Sequence, residues 1–443
     1  MAAAPLGVAA FFLGGCVYRG LIFSSALMLF LLVQTAAAAM TVRPDDGALQ
    51  TIIDRVEPGA ELVLEAGVYR GGIVIDKPLT LRGRPGAVID AGGEGDVVRV
   101  TAADVRLEGL ILRNSGFNLT EANAAVYGDR GANNIKIVNN RMENSAFGIW
   151  LWHLEGAVAR DNDIVGRAEV RSQDRGDGLR LYNIDRSLFV GNTVRDTRDG
   201  VYIDTSREVE FRDNSFSDLR YGIHYMYSHH GRIVGNDSRR TRSGYALMMS
   251  NFLEVVGNTS VDDHNYGFLL NFVRNSTVAE NRVERVTGWH GPAGREHGVT
   301  LGSEGKAIFI YNSQGNEIRD NVFAQSEIGI HLTAGSEQNR IYGNSFLHNQ
   351  TQVRYVATRE QEWSYNGRGN YWSDYLGWDL SGDGIGDTPY EPNDAVDRLL
   401  WKYPLAKVLM NSPAIQVLRW AQRQFPVFRP QGVRDSAPLM RMP

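Results

Sequence analysis

The chain has 443 residues, a formal net charge of −5, and 43% hydrophobic and 22% charged residues. That charge, with no run of Lys and Arg interleaved with aromatics, argues against a nucleic-acid binder. The 48 glycines at ordinary charge content suit a turn-rich β protein rather than a disordered one.

The chain opens with Arg19, an apolar stretch from Leu21 to Val33, and the small residues Ala36 to Ala39. This order predicts a secretory signal peptide over residues 1–39, cleaved near Ala39, and hence a periplasmic protein. Leu13-Gly14-Gly15-Cys16 has the look of a lipoprotein acylation site, but no positive charge precedes it and the stronger apolar run follows it. Cys16 is the only cysteine and leaves with the signal, so the mature chain is expected to carry no disulfide and no thiolate chemistry. No later apolar run reaches the roughly 18 residues needed to span a bilayer.

Residues 47–57 carry apolar positions at helical spacing and end before Pro58-Gly59, predicting a short amphipathic helix that caps the first coil. Short alternating strands are predicted next at Leu62 to Leu64, Ile73 to Ile75, Leu79 to Leu81, Val97 to Val100 and Val105 to Ile111, punctuated by Gly, Asp and Pro.

From about residue 120 the pattern becomes periodic. Asn140, Asn162, Asn192, Asn214, Asn236, Asn258, Asn281, Asn321 and Asn344 follow at intervals of 22, 30, 22, 22, 22, 23, 40 and 23. A fixed period in this range marks stacked repeats. It predicts an all-β chain, a right-handed parallel β-helix over residues 40–372, with residues one period apart about 4.8 Å from each other. The recurring asparagine reads as an internal amide ladder. A small residue stands 14 positions before most of these asparagines, as at Gly148, Gly178, Gly200, Gly222, Gly244 and Gly267. After it the residues alternate, so Ile223 and Tyr225 face inward while His224 and Met226 face out.

Two intervals are long: eight extra residues fall in Val165 to Gly178, and 18 in Arg285 to Ala307, a segment that includes Trp289, His290 and His297. Insertions in repeats map to loops, often on the binding face. After Trp372 a partly helical segment, 373–443, is predicted, broken by Pro404, Pro413 and Pro426 and ending in an extended Pro-rich tail, for capping and partner docking. Asp379, Ser381, Asp383 and Asp387 alternate with glycine as in a calcium loop, although the position that would carry an EF-hand glutamate is Tyr390. A structural Ca2+ at Asp379, Asp383 and Asp387 is one reading and an ordinary turn is the other.

The outward columns carry the chemistry. One runs Trp150, Arg180, Tyr202, His224, Ala246, Leu269, Phe309, His331; the other runs Trp152, Tyr182, Asp204, Met226, Met248, Asn271, Tyr311, Thr333. Met226 and Met248 fall on adjacent coils with His224 beside Met226. Two thioethers and an imidazole form a soft site of the kind that selects Cu(I); methionines packed under a loop are the alternative. Met249, one position on, points inward or starts the turn. A rival set, Asp177, Asp199, Asp204 and His224 with Arg180, Tyr202, Trp150 and Trp152, would suit a polysaccharide lyase, hydrolase, epimerase or binding module, unless the two Asp-Gly pairs are turns.

The runs Tyr221-Gly222-Ile223-His224-Tyr225-Met226-Tyr227-Ser228, Gly244-Tyr245-Ala246-Leu247-Met248-Met249-Ser250, Asn370-Tyr371-Trp372-Ser373-Asp374 and Asp383-Gly384-Ile385-Gly386-Asp387-Thr388-Pro389-Tyr390, closing with Ser412-Pro413-Ala414, resemble the NosD family. The likeness covers residues 45 to 440, essentially the mature chain. It implies a non-enzymatic periplasmic accessory of nitrous oxide reductase maturation that binds Cu(I) transiently. It further implies an ABC-transporter permease and its ATPase as companions, a copper-donating lipoprotein chaperone, nitrous oxide reductase as the recipient, and membrane association only through partners. The positions matching the family's His/Met coils are His224, Met226, Met248 and Met249.

Overall fold

The computed structural model describes residues 39–288, 304–333, 335–356, 359–392, 412–424 and 432–443. The chain is a parallel β-solenoid, consistent with the right-handed β-helix expected from the period. Each coil contributes one strand to each of three sheets. The first sheet has 13 strands from Met40–Val42 to Arg340–Tyr342, the second 12 from Ile73–Ile75 to Thr351–Val356, and the third 13 from Gly67–Arg70 to Tyr371–Trp372. In one representative coil, Tyr221–Met226 lies in the second sheet, Arg232–Val234 in the first and Asp237–Arg239 in the third.

The alternation read from the sequence sets the inner wall. Ile223, Tyr225, Tyr245 and Leu247 are fully buried, and aromatic rings stack coil on coil, as Phe189 on Phe211 at 5.2 Å and Tyr245 on Phe268 at 4.5 Å. Glycine at the head of most second-sheet strands permits close approach: a β-carbon on Gly222 would lie 2.6 Å from the Gly244 carbonyl oxygen. The corner between first and third sheets carries the asparagine ladder. The Asn236 amide nitrogen donates to the Phe211 carbonyl and to Asn258 Oδ1, both at 2.9 Å, while its oxygen accepts from Asn214 N and Nδ2. The ladder runs past the nine predicted members to Asn370, which accepts from Asn344 at 2.9 Å.

The segment read as one strand from Val105 to Ile111 is two, Arg106–Glu108 in the first sheet and Ile111–Arg113 in the third. Gly109, at φ 69°, makes the corner between them. A purely apolar pattern misses that turn because Leu110 at the corner is also buried.

Both ends are covered. The helix Leu49–Arg55 buries Leu49, Ile52 and Ile53, and Gln50 pairs its amide with the backbone N and O of Val74 on the edge strand. At the other end residues 432–443 fold back, so the tail is not free and extended: Val433–Arg434 pairs with Gln361–Glu362, and Asp435 accepts from Asn370 N at 2.7 Å and Trp372 Nε1 at 2.8 Å. The helix Pro413–Gln424 begins at Pro413, with Ile415 buried and Val417 and Leu418 exposed. The first insertion is a loop tied down by Arg175, which donates to the carbonyls of Val170, Asp196 and Ala168. The second is pinched at its neck, where Gly288 N and Gly305 N both donate to Glu327. Trp289, His290 and His297 lie outside the described residues, as does the signal segment up to residue 38.

Candidate metal centre

The strand register reproduces both outward columns. Met226 pairs with Met248, His224 with Ala246, and Asp204 with Met226; Met248 in turn pairs with Asn271. The two thioethers therefore stand on neighbouring rungs of one column, about 4.8 Å apart at the backbone, and both are half-buried. His224 occupies the adjacent outward column.

His224 departs from the open, solvent-facing position expected of it, being only 8% exposed. The edges of Tyr202 and Tyr221 close on it at ring distances of 4.7 and 4.9 Å. Its rung partner, Ala246, has only a methyl group and is itself fully buried. His224 Nδ1 lies 3.2 Å from Asp199 Oδ2, and Nε2 is buried with no hydrogen-bond partner. An unpaired buried nitrogen is costly to leave in place. Tyr202 also reaches Met226: its hydroxyl is 3.5 Å from the sulfur and 3.5 Å from Asp204 Oδ2.

Met249 starts the turn after its strand, at φ 50° and 37% exposed. Tyr227 and Phe272 hold the same position on the flanking coils and are likewise exposed, so the three form an apolar ridge at the end of the methionine column. His229 and His230 do not join the centre. His229 Nδ1 accepts from Asn251 N at 3.1 Å, and His230 stacks on Phe252 at 4.9 Å.

The rival acid set is not arranged for acid–base work on a polymer. Asp177 and Asp199 are fully buried, each held by an arginine of the next coil: Arg198 donates to Asp177 at 3.0 Å and Arg220 to Asp199 at 2.5 and 2.8 Å. Burial and the neighbouring Asp199 charge push the Asp177 carboxyl up against its arginines. Burial works to raise Asp199 too, but Arg220 and His224 outweigh it and hold that carboxyl below its ordinary value. Arg180 lies 3.7 Å over the Tyr202 ring and is paired to Asp177. Asp204 is tied to Thr205 at 2.7 Å.

Of the two readings of the Asp379 loop, the hydrogen bonds favour the turn. Asp379 accepts from the loop's own donors, Gly382 N, Gly384 N and Ser381 Oγ, while Asp387 accepts from Leu380 N and Asp383 from Ile385 N. No group of three or more His, Cys, Asp or Glu suited to a metal occurs among the described residues.

Missed by the sequence reading is the Asp199–His224 contact. The available signal was a carboxylate heading one strand and an imidazole fourth in the next, 25 residues apart.

The family model described as "Periplasmic copper-binding protein (NosD)" matches residues 160–377. A Pseudomonas aeruginosa protein named "Probable ABC transporter binding protein NosD" is 53% identical over 96% of this chain and 97% of its own. The Stutzerimonas stutzeri protein of the same name is 49% identical over 95% of each. The chain belongs to the NosD family. Family members are thus named as binding proteins of the periplasm, and none of these names describes an enzyme. Among solved structures, the Dettilon tailspike protein matches with a TM-score of 0.53 at 17% identity, covering 72% of this chain and 68% of that one. The lacto-N-biosidase of Eubacterium ramulus matches at 0.51 and 12% identity with the same coverage. At such identities these two likenesses show the solenoid fold alone.

Proposed function

We propose that this NosD-family chain binds Cu(I) transiently through His224, Met226 and Met248, with Met249 as the outermost sulfur, and hands it on for assembly of the copper centres of nitrous oxide reductase. The observation that carries the reading is the rung pairing of Met226 with Met248 beside a buried imidazole whose Nε2 has no partner. Two thioethers and one nitrogen make a soft, neutral donor set. Few ligands, with both thioethers only half-buried, suit a carrier, which must release its cargo. Copper would come from a small lipoprotein chaperone, and an ABC permease with its ATPase would drive release. The exposed apolar side chains Val417 and Leu418 on the C-terminal helix give such a membrane partner a place to dock.

The test is anaerobic titration of the metal-free protein with Cu(I) against a chromophoric chelator. Wild type should bind one equivalent, and Met226→Ala/Met248→Ala should lose at least tenfold in affinity. Wild-type protein that takes up no copper but modifies alginate or pectin would overturn the carrier reading.

A further inference from the structure

The centre has a feature that its donor atoms do not explain. Two buried Asp–Arg pairs stack on successive coils, Asp177 with Arg198 and Asp199 with Arg220. They are near copies, each placing the arginine 21 residues after the acid. Only the second meets an imidazole. On the rung after Asp177 the corresponding outward position is Tyr202; on the rung after Asp199 it is His224.

Asp199 accepts three hydrogen bonds, from Arg220 Nε to Oδ1, and from Arg220 Nη2 and His224 Nδ1 to Oδ2. An ionised carboxylate only accepts, so the hydrogen it shares with the ring belongs to Nδ1. A neutral histidine protonated on Nδ1 carries its lone pair on Nε2, the atom left buried and unpartnered. Rotating the ring would set a carbon against Asp199 and forfeit that bond. Asp199 is fully buried and saturated by these donors, so it is not itself a ligand.

We infer that Asp199, clamped by Arg220, is the positioning residue of the centre: it fixes the tautomer and ring angle of His224 so that the bare Nε2 is presented to a soft metal ion. The inference rests on the copper reading for the identity of the ion. Carboxylates that hold the second nitrogen of a ligating histidine are a general device, and losing one costs about ten- to a hundredfold in metal affinity. The Asp177–Arg198 pair supplies a control that is equally buried and clasped by the corresponding arginine of the next coil, but receives Arg180 where Asp199 receives the imidazole.

The experiment uses the mature chain with Asp199→Asn, Asp177→Asn, His224→Ala and the double variant Asp199→Asn/His224→Ala. Three readouts are needed: the 15N tautomer of His224 in metal-free wild type, Cu(I) affinity by chelator competition, and the nitrogen and sulfur neighbours of bound copper by X-ray absorption. We expect Nδ1 protonated and Nε2 bare. Asp199→Asn should lose at least tenfold in affinity together with the nitrogen neighbour. Asp177→Asn should stay within about threefold of wild type, and the double variant should bind no more weakly than His224→Ala alone. A His224 protonated on Nε2 in wild type would overturn the inference, as would an Asp199→Asn protein that keeps its nitrogen neighbour and its affinity, or an equal loss in Asp177→Asn. If wild type binds no Cu(I), the copper reading fails, while the tautomer still decides the positioning role; it does so too if Asp199→Asn does not fold.

Discussion

Met249 occupies a backbone position that a side chain of its kind disfavours. On successive coils the residue just after the Met226–Met248 column is left-handed: Asn183 at φ 50°, Thr205 at 51°, Tyr227 at 44°, Met249 at 50°, Phe272 at 55° and Asn312 at 45°. Asparagine tolerates that conformation, whereas most L-residues lose about 1 kcal/mol or more there. Met249→Asn should therefore raise the urea midpoint by the equivalent of about 1 kcal/mol. Because Met249 stands at the rim, Cu(I) affinity should fall less than in the Met226→Ala/Met248→Ala protein. A lowered midpoint would show that the methionine stabilises the turn by packing. Periodicity made the Met226–Met248 column legible, because a rung pairing depends only on the repeat length. It could not reveal that His224 is covered, since that depends on how the rings of Tyr202 and Tyr221 close on the imidazole. Nor could it distinguish Asp199 from a turn residue, because Asp-Gly at a strand head serves both roles and its partner is offset from the period.

At the scale of the element, the corner ladder satisfies polar groups that the solenoid must bury. Each amide accepts twice from the coil before it, donates to that coil's carbonyl and donates once to the coil after it, as Asn236 does between Asn214, Phe211 and Asn258. Asn236→Ala strips partners from Asn214 N and Nδ2 and from the Phe211 carbonyl, all in the dry interior. At about 1–3 kcal/mol per buried group left short, the loss should be roughly 3 kcal/mol or more, read from chemical denaturation. A cost below about 1 kcal/mol would mean that water replaces the amide. The ladder was legible because it repeats with the coil. The two-strand division at Gly109 was not, since Leu107, Leu110 and Leu112 are all buried and the apolar run continues through the corner.

For the whole molecule, the open question of any solenoid is what covers its last rung. Here Asp435 continues the asparagine ladder with a carboxylate, receiving Asn370 N and Nδ2 and Trp372 Nε1, while Trp372 stacks on Tyr390 at 4.4 Å. None of this follows from the repeat, because the tail returns from 65 residues further along the chain. Burial, though opposed by these donors, raises the Asp435 carboxyl from 3.8 to about 6. Between those values the folded state keeps a proton that the unfolded state has already lost. Stability from the tail therefore falls as pH rises through that window and levels off above it. Asp263, buried under Thr241 and Ser260 and also raised to about 6, acts in the same direction on the molecule as a whole. A local readout is thus required. Hydrogen exchange of the amides of residues 433–439, corrected for intrinsic rates, should show greater protection at pH 5 than at pH 7.5. Asp435→Asn should remove that difference while leaving the contribution of Asp263 to global unfolding intact. Equal protection at the two pH values in wild type would mean that the carboxylate is charged in both, and that its ladder donors outweigh the cost of burying it.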